Sequence, residues 1–142
     1  MLFRSPGFSG DISLRPGTTS NEATAWSYQN GGSYIPTPIL YRGLFYTLSN
    51  NGIIVAYEPQ TGEIVYRARI GKNGGAFTAS PVAADGRVYC INEDGEAYVF
   101  KAGREFVLLS RNDMDEVVAA TPAISDGLIV IRTLGHVYGI GK

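Results

Sequence analysis

The feature that most constrains this chain is a motif that returns three times at an interval of about forty residues. The first copy reads Thr37-Pro38-Ile39-Leu40-Tyr41-Arg42-Gly43-Leu44-Phe45-Tyr46. The second reads Ser80-Pro81-Val82-Ala83-Ala84-Asp85-Gly86-Arg87-Val88-Tyr89, and the third Thr121-Pro122-Ala123-Ile124-Ser125-Asp126-Gly127-Leu128-Ile129-Val130. Pro38, Pro81 and Pro122 stand 43 and 41 residues apart, and Gly43, Gly86 and Gly127 follow five residues after each. A second glycine comes nine residues later at Gly52 and Gly95, and eight later at Gly135; five further on stand Tyr57, Phe100 and Ile140. From Gly62 to Pro81 and from Gly103 to Pro122 the count is 19 in both copies, so the two-residue difference in period falls in one turn. Loops tolerate such insertions, and the repeat is therefore a structural unit and no chance match.

Each unit reads as a series of β-hairpins. Asp85-Gly86 and Asp126-Gly127 are tight-turn dipeptides, because glycine supplies the positive φ that primed turns require. Leu44–Leu48, Arg87–Ile91 and Leu128–Thr133 follow as short apolar strands. Asn51-Gly52 and Asp94-Gly95 then reverse the chain into Ile53–Tyr57 and Glu96–Phe100, and His136–Ile140 stands in the third copy. Pro59-Gln60-Thr61-Gly62 leads into a third strand, Glu63–Ile70. A fourth, outer strand is predicted just before each Ser/Thr-Pro, since proline sits at strand starts and edges without losing a ladder bond. No window supports a helix of useful length. Asp113–Ala120 is the best candidate, and its Val-Val-Ala-Ala run suits an outer strand equally well.

This pattern resembles the pyrroloquinoline-quinone-type (PQQ-type) repeat. That repeat places a proline and a D-G turn before an apolar strand, then a second glycine turn, an apolar-aromatic strand, and T-G before an aromatic third strand. Thr61-Gly62-Glu63-Ile64-Val65-Tyr66 is similar to the T-G segment, with tyrosine where tryptophan is usual; Gly103-Arg104-Glu105-Phe106 matches it more loosely. The resemblance covers 36–142 well and 8–35 weakly. It implies an all-β fold of β-propeller blades, each a four-stranded antiparallel sheet, and the period falls in the blade range of about 40–45 residues. The same repeat builds quinoprotein dehydrogenases and outer-membrane assembly lipoproteins, so it specifies fold far better than function. It also implies a periplasmic or extracytoplasmic setting.

Blade boundaries follow from the repeat. Residues 1–36 form a partial blade and a connecting loop, 37–79 and 80–120 are blades, and 121–142 is half a blade, all within one propeller segment. In the leading part Asp11–Leu14 and Ala23–Gln29, centred on Trp26, read as strands around a polar loop, Arg15–Asn21. Three blades are fewer than the usual four to eight around a channel, and an open arc exposes strand edges and apolar faces. Either two copies join into a six-bladed ring, or the chain is the C-terminal part of a longer propeller.

Composition removes several function classes. Net charge is −1, with none of the basic footprint that phosphate backbones demand, so nucleic acid is no partner. No stretch approaches the roughly 20 apolar residues of a membrane span. Met1–Gly7 lacks the apolar core of a secretion signal, which predicts a soluble chain without an address of its own. The single cysteine, Cys90, lies in Val88-Tyr89-Cys90-Ile91 and reads as a buried, inert thiol. His136, the only histidine, flanks a hairpin turn and has no histidine partner for zinc. Asp113, Asp115 and Glu116 lack the spacing of a calcium loop and read as a solvated turn. Glu93-Asp94 reads as a hairpin tip, and Gly71-Lys72-Asn73-Gly74-Gly75 as a blade turn without Walker spacing. No G-x-S-x-G elbow is present, Ser9-Gly10 and Ser20-Asn21 being loop pairs.

Phe45, Tyr46, Tyr57, Tyr66, Tyr89, Tyr98, Phe100, Phe106 and Trp26 recur at repeat positions, as packing between blades requires; stacking of carbohydrate or peptide is the alternative. In the quinoprotein dehydrogenases that the repeat resembles, the cofactor rests on a tryptophan floor beneath a disulfide of adjacent cysteines, beside Ca²⁺ held by Glu, Asn and a catalytic Asp. One cysteine and no mappable Asp give no catalytic, cofactor or metal residue here. The positions that stand out are structural: Pro38, Pro81, Pro122, Gly43, Gly86, Gly127, Gly52, Gly95 and Gly135. Two function classes follow. One is a non-catalytic binding scaffold with a protein ligand; the other is a fragment of a larger quinoprotein-like enzyme whose catalytic residues lie elsewhere.

Overall fold

The computed structural model describes residues 10–13, 24–29, 32–71 and 75–141. The loop Arg15–Asn21, the segment Met1–Gly7, Leu14, Ser9, Ser20-Asn21 and Lys72–Gly74 lie outside them. Thirteen strands and no helix occur among the described residues, so none is long and apolar enough to cross a membrane. Two short strands lead, β1 (Gly10–Ser13) and β2 (Thr24–Tyr28), and they pair antiparallel. The first complete sheet runs β3 (Ile39–Tyr41), β4 (Leu44–Leu48), β5 (Ile53–Tyr57) and β6 (Ile64–Arg69) in that order. The second repeats it with β7 (Val82–Ala84), β8 (Arg87–Ile91), β9 (Glu96–Lys101) and β10 (Leu108–Asp113). The third holds β11 (Ala123–Ser125), β12 (Leu128–Arg132) and β13 (Val137–Gly141). All pairings are antiparallel.

The first turn of each unit is a mirror-image turn. Arg42 and Gly43 have φ of 49° and 77°, Asp85 and Gly86 48° and 75°, Asp126 and Gly127 48° and 77°. Positive φ at both central residues matches the right-handed twist of the flanking strands and holds the hairpins in register.

The fourth strand stands elsewhere than the sequence predicts. It follows the proline, as β3, β7 and β11, and pairs with the next strand across the turn. Proline opens this strand because it has no N–H to offer a ladder. The residues before the proline are not strand, and Asp113–Ala120 contains neither a helix nor an outer strand beyond the last residue of β10. For the same reason the third sheet has three strands where the sequence showed two.

The core lies between sheets. With side chains alternating across each strand, β4 and β5 send Leu44, Tyr46, Leu48, Ile54 and Ala56 forward onto the second sheet, where they meet Val88, Cys90, Tyr98 and Phe100. Their opposite side sends Phe45, Val55 and Tyr57 back onto Trp26 of β2. Ile91 and Ala97 of the second sheet in turn meet Ile129 and Ile131 of the third, with Val118 between them. Each sheet thus has a front that presses on the next and a back that presses on the last. Burying each large apolar side chain contributes roughly 1.5–3 kcal/mol, and this stacking accounts for the apolar strands.

Candidate interaction surface

The joints between sheets determine which groups remain for anything else. Thr37 donates its backbone N–H to Ser80 Oγ at 2.8 Å, and Ser80 donates its own to Thr121 Oγ1 at 3.0 Å. The residue before each proline therefore links one sheet to the next. A second stitch runs along the segments that precede these prolines. Phe77 N–H donates to the Asn50 carbonyl at 2.9 Å, and Ala76 accepts from Glu93 N–H at 2.8 Å. One unit later Val118 N–H reaches the Glu93 carbonyl at 3.2 Å, and Val117 accepts from Leu134 N–H at 2.9 Å. These segments are staples between two hairpin tips, which is why they form no ladder of their own.

The tips share a polar cap that sequence reasoning missed. Ser49 Oγ accepts from Ile53 N–H at 2.9 Å, Asn92 Oδ1 from Glu96 N–H at 2.8 Å, and Thr133 Oγ1 from His136 N–H at 3.0 Å. Ser49, Asn92 and Thr133 keep the intervals of the prolines, 43 and 41 residues, which was the available signal. Their differing side chains concealed it. Tyrosines add cross-links: Tyr41 accepts from Gly86 N–H at 2.9 Å and Tyr46 from Gly103 N–H at 3.0 Å.

Among the repeat positions, Pro38, Pro81 and Pro122 precede the edge strands β3, β7 and β11, and Gly43, Gly86 and Gly127 occupy the mirror-image turns. Gly52 and Gly95 take φ of 77° and 88° at the hairpin tips, where a Cβ would collide with the carbonyl oxygens of Ile70 and Glu116. Gly135 lies in a tip one residue shorter, without a positive φ, beside the Glu116 carboxylate.

Several ionisable residues close on their own neighbours. Glu116 accepts from Thr133 Oγ1 at 2.5 Å and Gly135 N–H at 3.1 Å, and its other oxygen lies 2.5 Å from His136 Nδ1. The Thr133 hydroxyl, then Gly135 and His136, hold this carboxyl below its ordinary range. Asp113 accepts from Asp115 N–H at 2.9 Å. Among the described residues no group of three His, Cys, Asp or Glu is placed to hold a metal ion. Arg104 pairs with Glu58 of the previous sheet, and Arg111 with Glu96. Cys90 is wholly buried, and burial pushes its thiol well above its ordinary range.

The aromatic groups are committed in the same way. Trp26 stacks on Tyr57 at 5.5 Å and donates its indole N–H to the Pro59 carbonyl at 2.9 Å. Tyr66 takes the corresponding place at the next joint, 6.0 Å from Phe106, which leans on Phe100 at 5.4 Å. With Trp26 fixed in one joint and Cys90 sealed in another, these residues do not fit a PQQ site. Exposed apolar side chains include Leu128, Val130, Leu134 and Val137 on and beside the front of the third sheet, and Tyr34, Ile35 and Leu40 behind the first.

Four-stranded antiparallel blades, stacked front to back and stitched at repeating positions, define a segment of β-propeller built from PQQ-type repeats. Residues 18–140 match the family model described as outer membrane protein assembly factor BamB, and the chain belongs to that family. The BamB protein of Yersinia pestis is 23% identical over 95 residues, covering 67% of this chain and 23% of that relative. The crystal structure of BamB from Moraxella catarrhalis superposes with a TM-score of 0.66 at 16% identity, over 83% of this chain and 36% of that one. A quinohemoprotein alcohol dehydrogenase from Pseudomonas putida HK5 gives a TM-score of 0.56 at 16% identity, over 68% of this chain and 16% of that one. The chain thus spans about a quarter of the curated relative's length.

Proposed function

We propose that this chain is a non-catalytic scaffold that binds protein, in the manner of an outer-membrane-protein assembly factor. The observation that carries the reading is the use made of its polar and aromatic groups. Several of its hydroxyls, carboxylates and rings, among them Thr133, Glu116 and Trp26, close on neighbouring groups, and exposed apolar side chains on the first and third sheets are left to a partner. Membership of a family described by that assembly role supports the same reading. Extended, alternately apolar segments of unfolded outer-membrane β-barrel proteins are the ligand chemistry such surfaces and open strand edges suit.

Biolayer interferometry against an immobilised unfolded outer-membrane β-barrel protein tests the proposal. Saturable binding is expected, weakened at least tenfold by Val130→Asp. Binding no tighter than to an unfolded soluble α-helical protein would count against it. The second reading, part of a quinoprotein-like enzyme, is favoured only by the shared blade fold. Thermal unfolding with PQQ and Ca²⁺ separates the two: an upward shift of several degrees would support the enzyme, and the scaffold predicts none.

A further inference from the structure

The tip between β4 and β5 carries Asn51-Gly52, and the tip between β8 and β9 carries Asp94-Gly95 at the equivalent place. Asn51 and Asp94 are both exposed. The second tip is bonded to a staple on each side, through Glu93 N–H to Ala76 and Val118 N–H to Glu93, and Asp94 is open all the same. Exposure at this position therefore belongs to the tip itself and not to what flanks the sheet.

Two donors converge on Asn51. Ser49 Oγ accepts from Ile53 N–H, which leaves its own proton to donate, and Asn51 Oδ1 lies 2.5 Å away. The other acceptor within reach, the Ile53 carbonyl, is farther at 3.2 Å. Arg69, itself exposed, donates through Nη1 to the backbone carbonyl of Asn51 at 2.9 Å. That carbonyl belongs to the peptide group whose nitrogen is Gly52 N. Gly52 N–H is held by the Ser49 carbonyl at 3.0 Å, and the Gly52 carbonyl by Ile70 N–H at 2.8 Å, so both peptide groups of Gly52 are fixed. In the second unit Asn92 and Asp113 stand in the places of Ser49 and Arg69.

We infer that Asn51 is a self-modifying site, whose side-chain amide is converted to a carboxylate with activation by Ser49 and Arg69. Gly52 N gives up its proton to solvent and attacks Asn51 Cγ. The new C–N bond closes a succinimide ring, the Cγ–Nδ2 bond breaks, and ammonia leaves with a proton returned by solvent. Water then opens the ring at either carbonyl, giving aspartate or isoaspartate, and nothing is oxidised or reduced. Negative charge develops on Oδ1 during the attack, at the atom to which the Ser49 hydroxyl is already directed. The Arg69 guanidinium on the Asn51 carbonyl favours the ionised form of the Gly52 peptide group, since an adjacent cation stabilises the charge. Gly52 has no side chain to shield its nitrogen. The aspartate product is the side chain that the second tip already carries at Asp94, so the fold accommodates it. The inference goes beyond the scaffold reading and stands whichever ligand the scaffold binds.

Peptide mapping by mass spectrometry, after timed incubation of the full chain at neutral pH, tests it. Each event adds about 1 Da and one negative charge to the Asn51 peptide. Conversion of Asn51 is expected to be faster in the folded chain than in the same chain held in urea. Ser49→Ala should slow it at least about tenfold, and Arg69→Ala several-fold. The other two Asn-Gly pairs, Asn30-Gly31 and Asn73-Gly74, should convert at the same rate in both variants and the unaltered chain, which makes them internal standards. Ser49→Ala also removes the cap on Ile53 N–H, whereas Arg69→Ala leaves that cap in place and keeps the test decisive if the tip loosens. Slower conversion of Asn51 in the folded chain than in urea, or an unaltered rate in either variant, would overturn the inference.

Discussion

At the scale of single residues, the chain shows how one repeat position can be well served in one unit and poorly in the next. Trp26 stacks on the following blade and gives its N–H to the Pro59 carbonyl. Tyr66, in the corresponding place, buries a hydroxyl that has no protein partner, and burial raises it above the ordinary phenol range. A buried, unpaired hydroxyl costs about 1–3 kcal/mol. Tyr66→Phe is therefore expected to stabilise the fold by about 1 kcal/mol in urea titration; a loss of that size would show that the hydroxyl is bonded. Glu116 gives a second residue-scale test. Its folded-state pKa lies below its unfolded value, so its contribution is present above the ordinary carboxylate range, near 4.3, and is lost as pH falls through the folded value. The urea midpoint of Glu116→Gln should fall below that of the unaltered protein at neutral pH, and the gap should narrow towards pH 3. A gap that is constant with pH would mean that the Thr133 and Gly135 contacts do not depend on the charge.

At the scale of elements, the turns and staples carry the specificity of the fold. Gly43 and Gly95 both hold positive φ, but a Cβ meets open space at the first and the Glu116 carbonyl at the second. Gly43→Ala should cost about 1 kcal/mol from backbone strain alone, and Gly95→Ala at least about 2 kcal/mol; equal costs in thermal unfolding would remove the steric part of this account. Phe77→Ala should cost about 3–5 kcal/mol, because a staple between two tips cannot collapse over the cavity it leaves; calorimetry showing under 1 kcal/mol would contradict its role. Much of this was legible in the sequence. The D-G and N-G dipeptides marked the hairpins, the proline interval marked the units, and Trp26 marked a strand. The placement of the fourth strand was not, since Phe77-Thr78-Ala79 and Val82-Ala83-Ala84 are equally apolar and only their hydrogen-bond partners, on other blades, separate them. The Ser49, Asn92 and Thr133 cap was hidden because three chemically different side chains perform one task. The exposed faces were invisible for a related reason: Leu128 and Leu44 read alike until their neighbours are in place.

At the scale of the whole molecule, the chain is a series of blades in which each joint combines apolar faces, a Ser/Thr-Pro link and a stapled pair of tips. Such arrays gain stability from nearest-neighbour interfaces more than from the units themselves. It follows that backbone groups lying outside every strand should behave as core. The most direct measurement is native hydrogen exchange, resolved by residue, for the amides of Phe77, Ser80, Glu93, Val118 and Leu134, which all donate across a joint. The account predicts slow exchange for Phe77, Ser80 and Glu93, comparable with the central strands β4 and β8, with Val118 and Leu134 intermediate at the more exposed third sheet. Exchange of all five at the rate of an unstructured peptide would contradict it, because the blades would then be neighbours without being joined.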